Sequence, residues 1–382
     1  MEITSFEKCT GCSLCVASCP VGAIEQHYEE CGAFWHPKIN ETRCIKCNKC
    51  VSVCPANYAL QMPECEKYCA VAQSTDIALL RSATSGGAAS ALVKTFVEAG
   101  GVVYGAAFDS EMRVRHIRCT TTQECERIKG SKYIQSNIDD VYAQIKEDLK
   151  SSLRVLFIGT PCQCAAVKKM FDRNDAFFCC DFVCNGVGSP SIFRQHRRFL
   201  EKTYRCKISD YVFRPKKHGY LEPYERFRDV NGKEYSIKSP WKKWGSLYYS
   251  ALVIRKCCYH CAYACQDHKV ADITLSDIPM SLSSLASLPH NVKQYGGSLL
   301  SINTNKGEQM IQTCASLYTS RVEVSMRDGD HHATHDIAER NRFLMLAQQS
   351  FGKAKRQYLG CLCKCKGTII EILDYIKRKY KK

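Results

Sequence analysis

Cys9-Thr10-Gly11-Cys12-Ser13-Leu14-Cys15-Val16-Ala17-Ser18-Cys19-Pro20 is answered 35 residues later by Cys44-Ile45-Lys46-Cys47-Asn48-Lys49-Cys50-Val51-Ser52-Val53-Cys54-Pro55. Both stretches read C-x2-C-x2-C-x3-C-P, an internal repeat with metal-ligand spacing. Three cysteines two residues apart wrap a turn and present sulfur to three corners of one 4Fe-4S cubane. The fourth begins the next segment and ligates the other cubane. The spacing therefore predicts two 4Fe-4S clusters, one on Cys9, Cys12, Cys15 and Cys54, the other on Cys44, Cys47, Cys50 and Cys19. Paired C-x2-C also suits tetrahedral zinc, but zinc needs neither the trailing proline nor a three-plus-one exchange.

Around this repeat, the 382 residues suffice for a large core and two domains. No run of 18 apolar residues occurs, so no transmembrane helix is expected. The start, Met1 to Lys8, is acidic and has no apolar stretch of the kind a signal peptide needs. The expected compartment is cytoplasmic and reducing, where 27 cysteines mean metal ligands and free thiols rather than disulfides. The formal charge is +16. Each oxidised four-thiolate cluster carries roughly −2, so three clusters bring the net charge to about +10. No nucleic-acid motif accompanies the basic residues, and nucleic acid is not an expected partner. A basic surface suits an acidic redox partner or a phosphorylated cofactor.

Residues 1–62 read as a ferredoxin-like dicluster domain, with Ala33 to His36 as an extended piece and Cys31 as a bystander. Residues 63–80, with Cys65 and Cys69, read as a linker. From Arg81 the texture becomes α/β. Ser85-Gly86-Gly87 precedes a buried helix from Ala88 to Val97, which ends at Gly100-Gly101. Val102 to Phe108 and Arg154 to Ile158 read as strands, the latter leading through the Gly159-Thr160-Pro161-Cys162-Gln163 turn into a helix to Phe171. Tyr211 to Tyr235 is β-rich, with an Asn231-Gly232 turn. The expected fold is an α+β ferredoxin-like dicluster domain followed by an α/β domain with a mixed sheet over residues 81–345. Residues 346–382 read as a basic C-terminal tail with an amphipathic helix from Gly367 to Lys382. Cys162 stands at a helix start, where backbone N–H groups and the helix dipole favour thiolate.

Short motifs recur through the α/β part: Ser85-Gly86-Gly87; Gly130-Ser131-Lys132-Tyr133-Ile134-Gln135-Ser136; Gly159-Thr160-Pro161-Cys162-Gln163; Cys184-Asn185-Gly186-Val187; and Cys258-Tyr259-His260-Cys261 ahead of Ala271-Asp272-Ile273-Thr274. In this order, over roughly residues 1–345, the chain resembles the beta-subunit family of coenzyme F420-reducing hydrogenase and dehydrogenase, which also includes flavin-dependent reductases of chlorophyll metabolism. The resemblance implies FAD and one further 4Fe-4S cluster beside it. The cluster is carried onto Cys162, Cys184, Cys258 and Cys261, with Cys164, Cys180, Cys257 and Cys265 near enough to take a slot. FAD is carried onto Ser85, Gly86 and Gly87, where glycine lets backbone N–H groups approach a diphosphate, and onto Ser131, Lys132, Gln135, Ser136 and Thr160. No Gly-x-Gly-x-x-Gly occurs after a strand, so no Rossmann dinucleotide site is expected. The family's usual Gly-Asp-Phe-Trp-Gly is replaced by Leu275-Ser276-Asp277-Ile278-Pro279-Met280, so a deazaflavin need not be the substrate. Asp272 and Asp277 are the carboxylates placed by family position, and no catalytic acid or base is assigned.

The expected function is an iron–sulfur flavoprotein oxidoreductase, exchanging electrons with a ferredoxin-like or enzyme redox partner and acting on a small molecule. Its rivals are an electron-transfer subunit without its own substrate and a zinc-binding interaction module. Cys361, Cys363 and Cys365 would share one face of an extended segment, and His331, His332 and His335 form a short cluster. Neither belongs to the family pattern.

Overall fold

The structure is a computed structural model describing residues 2–58, 60, 67–217, 219–220, 222–264, 269–283, 287–324 and 336–364. Cys65, Cys265, His331, His332, His335, Cys365 and the expected helix from Gly367 to Lys382 lie outside the described residues.

In the N-terminal module each cysteine run opens into one short helix, Leu14–Ser18 and Lys49–Ser52. Between the runs, β1 (Ile24–Tyr28) and β2 (Trp35–Ile39) pair antiparallel, so the long spacer between the repeats is a hairpin. The larger sheet has eight strands in the order β13-β3-β12-β11-β7-β6-β4-β5. These are β3 (Tyr68–Ser74), β4 (Val102–Phe108), β5 (Val114–Cys119), β6 (Val155–Ile158), β7 (Phe177–Phe182), β11 (Ile273–Asp277), β12 (Ser298–Ile302) and β13 (Leu317–Val322). β4, β6, β7 and β11 run parallel, and the remaining strand pairs are antiparallel, so the sheet is mixed as expected. Strands covered on both faces read as continuous apolar runs. Val155, Leu156 and Phe157 are wholly buried, and so are Val103, Tyr104 and Ala107.

The helix Ala88–Glu98 buries Ala88, Ala91, Leu92, Val93, Phe96 and Val97 against this sheet, the three- and four-residue spacing of one helix face. A second antiparallel sheet of three strands, β8 (Ile208–Val212), β9 (Glu225–Asp229) and β10 (Glu234–Ile237), lies over an aromatic core of Phe193, Tyr211, Phe213, Phe227, Trp244 and Tyr248. The β9–β10 turn carries Gly232 at φ +81°.

Two boundaries differ from the expectation. Residues 68–74, expected within a linker, form β3, paired on both sides by β12 and β13. Its alternating Cys69, Val71 and Ala70, Ala72 face two different cores. Residues 346–364, expected as a tail, continue the helical segment Ile337–Lys364, broken at Ser350. Phe343, Leu344, Ala347, Phe351, Ala354 and Leu359 are buried in the aromatic core beside Trp244. Cys361 and Cys363 therefore sit on helical rather than extended backbone. The same core takes in Ala33 and Phe34 from the N-terminal hairpin, which fastens the module to the rest of the chain.

Candidate iron–sulfur and cofactor site

The two cysteine runs repeat in backbone as well as sequence. Gly11 (φ +68°) and Ser13 (φ +62°) correspond to Lys46 (φ +56°) and Asn48 (φ +58°). Two left-handed steps in each loop turn its thiols toward one side. Lys46 and Asn48 accept that conformation with a Cβ, at about 1–2 kcal/mol each.

In the first set Cys9, Cys12, Cys15 and Cys54 are all buried. Burial, followed by the neighbouring Cys9 and Cys54, pushes the Cys12 thiol up to about 11. Burial also raises Cys15, with Cys12, Cys9 and Cys54 adding to it. The fourth member thus comes from the second run. In the second set Cys19, Cys44, Cys47 and Cys50 line one pocket with Pro20, Val21, Ile24 and Ile39. Burial raises the Cys50 thiol, and Cys19 and Cys44 contribute. The backbone N–H of Ala23 donates to Cys19 Sγ at 3.2 Å and that of Lys46 to Cys44 Sγ at 3.4 Å. Cys47 is exposed.

A third pocket is lined by Thr10, Pro161, Cys162, Cys184, Gly186, Val187, Cys257, Cys258, Cys261, Tyr263 and Ala264. Cys162, Cys184 and Cys261 come together here. The expected Cys258 lines it with its neighbour Cys257, whose charge acts on all three. Cys258 also acts on Tyr248 and Tyr259. Both residues lie on a 3-10 turn, Lys256–His260, where consecutive side chains diverge by about 120°. Cys261 leaves that turn in extended conformation. Cys164, on the helix Pro161–Phe171, and Cys180, on β7, are buried, with Cys164 Sγ directed at the Gly159 and Cys180 carbonyls.

Cys162 lies in the first turn of the helix Pro161–Phe171, capped by Thr160 and Gln163. Burial, then Cys261, raises its thiol instead of lowering it. Desolvation outweighs the helix dipole that sequence reasoning relied on. Burial and Cys162 push Cys184 up to about 12. Such thiols become thiolates when metal ligation displaces their protons. Among the described residues no three His, Cys, Asp or Glu side chains converge as the ligands of a single metal ion would. A cubane instead takes its sulfurs at four separate corners.

The first and third sets adjoin. Thr10 lines the third pocket, and the Cys12 charge is felt at Cys162. Tyr142 Oη donates to the Cys12 carbonyl at 2.7 Å, and Tyr263 Oη to the Pro55 carbonyl at 2.7 Å.

The residues expected around a flavin divide into two groups. Gln135 Nε2 donates to the Thr10 carbonyl at 3.0 Å, and Ser136 Oγ accepts from Gln163 Nε2 at 3.0 Å. With Thr160, whose Oγ1 is 3.3 Å from Cys162 Sγ, these line the cluster side of the domain. The other group lies at the start of the helix Ala88–Glu98. Gly86 is packed on the sheet, where a Cβ would stand 2.5 Å from Ser298 N and 2.8 Å from Ala72 O. Ser85 Oγ donates to the Gly297 carbonyl at 2.7 Å, and Ser131 N donates to Thr84 Oγ1 at 3.2 Å. Lys132 Nζ donates only to the carbonyls of Arg127 and Lys129, and desolvation pulls it down to about 7.

Sequence reasoning missed the residues opposite this turn. Lys216 Nζ donates to the Ser85 and Tyr295 carbonyls at 2.7 and 2.5 Å, and burial, then Arg214, lowers it to about 8. Arg214 pairs with Asp277 at 2.8 Å and lies over the Tyr220 ring. Two desolvated amines held only by carbonyls fit an anionic group such as a diphosphate. Tyr133, Tyr220 and Tyr249 add aromatic faces near Arg214. Asp272 is tied into the scaffold, accepting from Cys179 N and Thr304 Oγ1 and facing Lys168.

Two four-thiol sets behind left-handed cysteine loops make this an iron–sulfur protein, and residues 8–58 match the 4Fe-4S dicluster domain. Residues 152–324 match the C terminus of the coenzyme F420 hydrogenase/dehydrogenase beta subunit. Comparison with curated proteins found no match. Among solved structures the chain is similar to one from the xenon-derivatised F420-reducing NiFe hydrogenase complex of Methanosarcina barkeri, at 16% identity and TM-score 0.46, covering 78% of this chain and 96% of that one.

Proposed function

We propose that the chain is an iron–sulfur flavoprotein oxidoreductase that exchanges electrons with a redox partner enzyme and acts on an organic or deazaflavin-like substrate. The observation that carries this reading is the placement of the three thiol sets. The second set is at the surface with Cys47 exposed, the first is buried beneath the sheet domain, and the third adjoins the first on the side of the sheet.

Cys9, Cys12, Cys15 and Cys54 would hold one cluster, Cys19, Cys44, Cys47 and Cys50 a second, and Cys162, Cys184, Cys257 and Cys261 a third. When bound, such clusters supply one-electron chemistry and FAD supplies two-electron, hydride-type chemistry. Around them Tyr142 and Tyr263 fix the first loop, and the buried walls of the first and third sets exclude water. Ser85, Gly87, Ser131, Lys132 and Lys216 offer donors and cationic charge to a diphosphate. The Asp277 carboxylate, which family position would make available to a substrate, is neutralised by Arg214.

Anaerobic purification followed by iron, sulfide and flavin quantification tests this. About twelve irons and one FAD per chain are expected for three 4Fe-4S clusters and a flavin. Zinc without sulfide would overturn the reading. The Arg214–Asp277 pair favours a second one, in which the chain is an electron-transfer subunit docked on a partner enzyme. Iron and sulfide without flavin would establish that alternative.

A further inference from the structure

Arg255 is among the largest fully buried side chains of the molecule, at 1% exposure. It lies two residues before Cys257 of the third set and reaches into the first. Nε donates to the Cys9 carbonyl at 2.8 Å, and Nη1 donates to Gln135 Oε1 at 2.8 Å. Nη2 donates to the Trp35 carbonyl at 2.8 Å and lies 3.7 Å from Cys9 Sγ and 3.5 Å from His36 Nδ1. Its guanidinium carbon stands 5.2 Å from the centre of the Phe34 ring. Gly11 makes the room: a Cβ there would come within 2.6 Å of Gln135 Nε2 and 2.8 Å of Arg255 Nη1.

A cation removed from water this completely is costly unless a negative charge compensates it. Among the described residues no carboxylate forms an ion pair with Arg255. The groups that face it and can become anionic on metal ligation are the thiols of Cys9, from the first set, and of Cys257 and Cys258, from the third pocket. Among the described residues the second set has no equivalent contact. Its nearest cations by sequence, Arg43, Lys46 and Lys49, are exposed to solvent, which screens them.

Resting on the cluster reading above, we propose that Arg255 is a positioning residue that raises the reduction potential of the cluster held by Cys9, Cys12, Cys15 and Cys54, by a direct N–H···S contact and by a fixed buried charge. Reduction adds one electron to a site that is already anionic, and no covalent bond forms or breaks. A guanidinium at the sulfur stabilises the reduced form more than the oxidised one. Charge and hydrogen bonds to sulfur are the levers that set such potentials. Gln135 holds the fork in place from the sheet domain, and Trp35 holds it from the hairpin.

The test is an EPR-monitored redox titration of the anaerobically purified full chain, comparing wild type with Arg255→Lys and Gln135→Glu. Lysine keeps the charge and loses the fork. Glutamate keeps the shape and sets a carboxylate against Nη1. The relevant wave is the one that persists in Cys47→Ser and vanishes in Cys12→Ser. It is expected to move to lower potential in both variants by at least a tenfold change in reduced fraction, which for one electron is about 59 mV. The other waves should move less. A structural role alone would reduce iron content or thermal stability while leaving the wave in place. If Arg255→Lys does not fold, Gln135→Glu decides. Full iron and sulfide with an unmoved wave overturns the proposal and leaves the cluster reading standing. A wild-type chain without iron and sulfide overturns both.

Discussion

The two cysteine runs share spacing, trailing proline and paired left-handed backbone steps, yet they stand in opposite surroundings. The first is roofed by the sheet domain, with Tyr142, Gln135 and Arg255 bonded to its loop and its Cys9, Cys12 and Cys15 thiols buried. The second leaves Cys47 and Ile45 in solvent. The repeat fixes the geometry of a cluster cradle. The rest of the chain decides whether that cradle is an internal relay or an outward face.

The largest contrast is expected from one ligand substitution on each side. Cys12→Ser and Cys47→Ser should each cost about four irons per chain. Only Cys12→Ser should also lower the unfolding midpoint of the whole chain, because it empties a site inside the core. Iron assay and thermal unfolding, measured together, check this. Equal destabilisation by the two variants would mean that the surroundings do not matter.

Next comes the attachment of the module. Phe34 is 2% exposed, in one core with Trp244 and Phe343 and beneath Arg255 and Arg340. Phe34→Ala should destabilise by about 3–5 kcal/mol and should make the first set, not the second, more open to a chelator. Denaturant unfolding and the two phases of iron release would show it. A smaller effect is expected from Tyr142→Phe, which deletes the hydrogen bond to the Cys12 carbonyl. The loss should be about 1 kcal/mol, or up to about 3 because a buried acceptor is left unpaired.

How much of this was legible depended on how local the signal was. The eight cysteines of the repeat, the strands at Val102 and Val155 and the helix from Ala88 announce themselves, because spacing and doubly buried apolar runs are local properties. β3 does not. Its partners β12 and β13 lie more than 220 residues further on in sequence, and nothing in Tyr68 to Ser74 reveals them. That Cys257 joins Cys258 in the third pocket depends on one 3-10 turn, which the C-x2-C spacing does not reveal. Arg255, Arg214 and Lys216 belong to no motif, and only the folded chain shows that their charges are buried beside thiols or beside the Ser85 turn.

The smallest effect concerns Lys216, and it ties the far end of the molecule to the same comparison of buried and exposed charge. Burial, then Arg214, brings its ammonium from the ordinary 10.5 down to about 8. The unfolded chain therefore binds more protons than the folded one between those values, and stability should rise with pH across about 8 to 10.5. Below about 8 the desolvation penalty is fully present, and above 10.5 it is gone. Lys216→Met should flatten this part of the profile, measured as urea midpoints of flavin-free protein at pH values on either side of the window. A bound anion should flatten it as well, because negative charge beside the ammonium raises its pKa toward the unfolded value. A flat profile in the flavin-free wild type would mean that the amine is solvated, and would remove the charge argument for a diphosphate at the Ser85 turn. A sloped profile that FAD leaves unchanged would place the flavin, if it binds, somewhere else on the chain.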